Sequence, residues 1–74
     1  MNREITQQNL YLLLPGKINS LAKMLVQEKG ISFFDAINAI YKSQTYKLLE
    51  NESTKYWTYG PVALYESLLN EPVA

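Results

Sequence analysis

Five apolar residues, Ile18, Leu21, Ala22, Leu25 and Val26, fall at i, i+3, i+4, i+7 and i+8 and are followed by Gly30. That spacing puts them on one stripe of a helix with 3.6 residues per turn. Gly is the residue that most readily takes the left-handed conformation closing such a helix. At the other end, Pro15 suits a first turn, where its missing N–H costs nothing. The segment predicts a helix over 15–29 with one face to bury. In a chain of 74 residues, only the rest of that chain or another chain can cover it.

Two breakpoints, Gly30 and Gly60-Pro61, divide the remainder of the chain. After Gly30, Ser32 is placed to cap a helix N-terminus, with Asp35 three residues on to complete a capping box and favour the helix dipole. Phe33, Phe34, Ile37, Ile40 and Tyr41 supply its apolar stripe. Beyond Tyr41 the phase fails: a straight helix would bury Gln44 and expose Tyr46 and Leu49. A break near Ser43–Thr45 resolves the conflict, giving helices over 33–43 and 44–50, with Ser43 capping the second. Pro61 starts a last helix over 61–71 on Val62, Tyr65, Leu68 and Leu69, with Pro72 as its stop. Nothing breaks a helix over about 2–13. Its Leu10–Leu14 run is apolar all round and must be covered by the domain or by a second chain. The expectation is an all-α single domain of four to five short helices, joined through an irregular 51–60 connection.

Composition narrows the function. The chain has no Cys and no His, so disulfides, thiolate metal sites and the commonest general base are excluded. Small domains often need a staple, and association with a copy or a partner is the one left. No cofactor or metal is expected. Candidate carboxylate pairs, Glu50 with Glu52 and Glu66 with Glu71, sit among polar or helix-end residues where a solvated charge is the ordinary state. The three Gly are isolated, so no phosphate-cradling loop exists. Lys55, beside Tyr56 and Trp57, reads as a stem lying along an aromatic ring with its charge in water. No enzyme chemistry and no small-molecule substrate is expected. The N-terminus lacks the layout of a signal peptide and no apolar run approaches a membrane span, which makes a cytoplasmic location the default.

Seven Lys+Arg balance seven Asp+Glu, whereas binding through phosphates calls for a basic excess. A helix-turn-helix around Gly30 is the alternative. Its recognition helix over 33–46 would present Asp35, Asn38, Lys42 and Thr45, of which only Lys42 is basic. The six Tyr point instead to a protein surface, since Tyr offers large contact area at low entropic cost. About half of them would serve at the core boundary. Tyr46 and Tyr56 are the two that periodicity leaves outside, and Lys42, Lys47 and Lys55 lie nearby. Trp57 is expected inside, carrying Lys55 and Tyr56 outward. The partner-binding candidates are therefore Tyr46, Lys55, Tyr56 and Lys42. The partner would be another protein or a second copy, forming a dimer.

Taken together, "LPGKINSLAKMLVQEKGIS", "DAINAIYKSQTYKLLE" and "STKYWTYGPVALYESL" resemble a family of short bacterial all-helical proteins with no established activity. The shared positions are Leu14, Pro15, Lys17 and Ile18, then Tyr41, Ser43, Tyr46 and Leu49. They continue with Thr54, Lys55 and Trp57, and end with Gly60, Pro61, Leu64 and Tyr65. The resemblance spans roughly residues 12–71. It implies an accessory or regulatory protein, sometimes of the toxin–antitoxin kind.

Overall fold

The stripe of the first long helix lands where its spacing puts it. Ile18, Leu21, Ala22 and Leu25 are all buried in helix α1, Leu14–Lys29, and Gly30 closes it at φ 68°. A computed structural model describes residues 5–71. Three further helices come after α1: α2 (Phe33–Tyr41), α3 (Gln44–Leu49) and α4 (Pro61–Leu69). Short 3-10 turns occupy Leu10–Leu12, Glu52–Thr54 and Tyr56–Thr58, and the described residues contain no strand. The protein is thus a small all-α domain. No described helix is long and apolar enough to cross a membrane.

The break in the middle of the chain is real, and one hydroxyl builds it. Ser43 Oγ donates to the Ile40 carbonyl at 2.6 Å and accepts from the Tyr46 N–H at 3.0 Å. It thereby ends α2 and caps α3. The consequence for packing is large, because α3 turns Thr45 and Leu49 inward, to 1% and 0% exposure. Both would point away from the core on a straight continuation. The capping reading at Ser32 holds as well, with the Asp35 N–H donating to Ser32 Oγ at 3.0 Å. A single recognition helix over 33–46 does not form, and Thr45, assigned to its outer face, is buried.

The core gathers α1, α2, α3 and α4 around Leu21, Ala36, Ile40, Leu49 and Leu64. Five expectations need correction. The stretch expected as a helix over 2–13 is, in its described part, a turn followed by a single 3-10 turn, with residues 2–4 outside the description. It is tied to a distant segment through a side chain: Gln7 donates through Nε2 to the Glu50 carbonyl and accepts at Oε1 from the Glu52 N–H. Of its apolar run, Leu10 is buried, while Tyr11 and Leu12 stay 64% and 66% exposed. In α2, Phe33, Phe34 and Tyr41 are exposed and the buried residues are Ala36 and Ile40. Small Ala36 lets α2 lie close to α1, which leaves the larger residues of its stripe at the flank. Helix α4 ends at Leu69 rather than 71, short of Pro72, which lies outside the described residues. It is also rotated from its expected face, burying Leu64 and Tyr65 and exposing Val62 and Leu69. Finally, Trp57 is half-buried rather than enclosed. It lies against the core as a lid and donates its indole N–H to the Glu52 carbonyl at 3.0 Å.

Buried polar groups are few and satisfied, as a low-dielectric interior requires. Thr45 Oγ1 meets Ser67 Oγ at 3.0 Å, tying α3 to α4. No buried side-chain nitrogen or oxygen among the described residues lacks a partner.

Candidate functional site: an aromatic groove

The residues that α2 fails to bury become the site. Phe33, Ile37 and Tyr41 run along one side of that helix at i, i+4 and i+8. With Tyr46 from α3 they form one wall of an open groove of about 420 Å³. The facing wall comes from Tyr11 on the N-terminal 3-10 turn and from Leu14, Pro15, Ile18 and Asn19 on the first turns of α1. Ile18 closes the floor at 4% exposure, while Phe33 and Tyr41 stand 47% and 52% exposed. The volume falls in the range of sites that hold a compact apolar ligand or a few side chains of a partner.

The rings at the joint between the two helices are interlocked. Tyr41 and Tyr46 meet edge to face, with centroids 4.9 Å apart and planes at 80°. That geometry suits the ring quadrupoles and fixes the groove wall across the Ser43 break. Burial pushes the Tyr46 phenol above its ordinary value, helped by the nearby Glu50 carboxylate and by Tyr41. It stays protonated and able to donate throughout the physiological range. Apart from the phenols, no lining residue is ionisable. The groove therefore suits apolar and aromatic groups and offers an anion no counter-charge.

The four residues singled out from sequence do not meet in one place. Tyr46 lines the groove and is half-buried against the core, not on the polar side where helical phase put it. Lys42 is exposed and forms the C-terminal cap of α2, outside the lining. Lys55 and Tyr56 lie on the 52–58 connection. Lys55 is exposed in the left-handed region at φ 61°, paired with Glu52 and 5.6 Å from the centre of the Trp57 ring. Tyr56 is not carried outward. It is half-buried on the core, its ring 4.9 Å from that of Tyr59.

Sequence reasoning misses Tyr11, Phe33 and Tyr41 because periodicity marks a stripe as core without asking how much area the core can absorb. A readable signal is present all the same. A nine-residue helix with five large apolar residues and a small Ala36 among them carries more than a single neighbouring helix can cover.

A second, smaller hollow of about 220 Å³ lies between the start of α1 and the start of α4, lined by Lys17, Pro61 and Leu64 among others. The Lys17 ammonium is already engaged, donating to the Tyr59 carbonyl at 3.0 Å. Among the described residues no group of three or more acidic, Cys or His side chains could hold a metal ion. No protein-family model, curated protein or solved structure matches this chain.

Proposed function

We propose that this chain is a non-enzymatic interaction module that binds protein through the groove between the 3-10 turn, the start of α1, and α2–α3. The observation carrying the proposal is the concentration of exposed aromatic area around an apolar hollow, with Tyr11, Phe33 and Tyr41 all lining it. Isolated exposed apolar residues are ordinary, but a contiguous patch at a concavity is how protein-binding surfaces differ from the rest. Tyr and Phe also bring contact area at little entropic cost. The absence of Cys and His from the sequence and the uncharged lining favour binding over chemistry. An accessory or regulatory role, as the resemblance to short bacterial helical proteins implies, agrees with that reading.

The test is retention of partners by an immobilised full chain. Tyr41→Ala and Phe33→Asp should abolish specific retention while Lys55→Ala and Lys42→Ala leave it unchanged. Retention untouched by the groove substitutions would sink the proposal.

A further inference from the structure

The groove has a projecting counterpart on its own rim. Phe34 precedes the lining residues Ile37 and Tyr41 by three and seven positions, which sets it beside them on the surface of α2, and it stands 74% exposed. Leu12, next to the lining residue Tyr11, is 66% exposed. The hollow and an exposed aromatic ring thus lie on the same side of α2. That is the requirement for an isologous interface, in which each copy inserts into the other around a two-fold axis.

We propose that the occupant of the groove is a second copy of this chain, each copy placing Phe34 in the groove of the other. This rests on the groove being the contact surface, and three observations favour this occupant. The first is area. Tyr11, Leu12, Phe33, Phe34 and Tyr41 are exposed by 64%, 66%, 47%, 74% and 52%. At roughly 200 Å² for a whole large side chain they offer about 600 Å² per copy. Two such faces reach the lower edge of specific interfaces, about 1,200 Å² in total. The second is charge. None of these five residues is charged and the chain is formally neutral, so two copies meet without net repulsion. The third is need: a 74-residue chain with no Cys gains from burying this patch the area its own core lacks.

Sedimentation of the full chain from about 10 μM to about 1 mM covers transient and stable dimers. The expected result is a concentration-dependent dimer. Phe34→Glu should raise its dissociation constant at least ~30-fold, as for an aromatic anchor. That variant should keep its far-UV spectrum, because position 34 is exposed and an acid in the first turn of α2 suits the helix dipole. Amide shifts on dilution should move at Tyr11, Phe33, Phe34 and Tyr41. A wild type that stays monomeric throughout overturns the second copy, as does a dimer whose shifts fall outside the groove. If that monomer still retains a partner through Tyr41, the interaction-module reading survives. If Tyr41→Ala changes nothing, both fail.

Discussion

The carboxylate of Glu71 caps a helix whose first residue, Gln44, lies twenty-seven positions away in sequence. Its Oε1 accepts from the Gln44 N–H at 3.1 Å and its Oε2 from the Thr45 N–H at 2.6 Å. These are N–H groups that the first turn of α3 cannot satisfy internally. A residue just beyond α4 thus completes the N-terminus that Ser43 opens. Burial raises the Glu71 carboxyl, but hydrogen bonds from the Thr45 side chain, the Thr45 N–H and the Gln44 N–H outweigh it. The net shift is downward from 4.5.

A carboxylate held below its unfolded value contributes stability above that value and loses it as pH falls through the folded one. Glu71→Ala should cost about 1 kcal/mol near neutral pH, the usual worth of a helix cap. Denaturant titrations across pH should show the gap from wild type closing as pH drops below about 4.5. A gap independent of pH would mean that the carboxylate is not acting as the cap.

Leu49 tests the break between α2 and α3 more sharply than any residue near it. It is fully buried only because the chain turns at Ser43. Leu49→Ala should cost about 2–5 kcal/mol, the range for a leucine deleted from a packed interior. In a domain of this size that approaches the whole stability. A thermal melt little changed from wild type would argue for an unbroken helix.

Ser43→Ala removes a capping acceptor and a donor in one step. A loss of about 1–2 kcal/mol is expected. Near-ultraviolet circular dichroism should change with it, since the Tyr41–Tyr46 pair straddles the joint. Ser43→Thr, which keeps the hydroxyl, should retain the cap.

The three glycines should separate by backbone conformation. Gly30 sits at φ 68° in the left-handed region, whereas the space around all three would admit a methyl group. Gly30→Ala should therefore destabilise by about 1 kcal/mol. Gly16→Ala, inside α1, should stabilise by a comparable fraction of that amount. Equal effects at the two sites would contradict the assignment of Gly30 as the stop.

The features legible in the sequence are local ones. Gly30, Ser32 and Ser43 act within a few residues of themselves, so their roles come from spacing alone. The hydrophobic stripe of α1 is legible because α1 faces neighbours on one side only. The failures share a different cause. Whether Phe33 or Ala36 is buried depends on how closely α2 approaches α1, and whether Val62 or Leu64 is buried depends on the rotation of α4. Both are settled by partners remote in sequence. The Gln7 and Glu71 bonds, reaching from near the two ends of the described chain to the α3 region, carry no local signature at all. The site is legible only at Tyr46, as the one candidate that faces the groove.

The Ser43 joint also bears on how the groove would meet the partner proposed for it. Its wall crosses from α2 to α3 with only Lys42 and Ser43 between the helices, and one hydroxyl is bonded to both. Such a short, doubly bonded joint leaves the α2–α3 wall little freedom to rearrange. A partner side chain of the proposed kind would then meet that wall already set. Related ligands should share similar association rates and differ mainly in residence time.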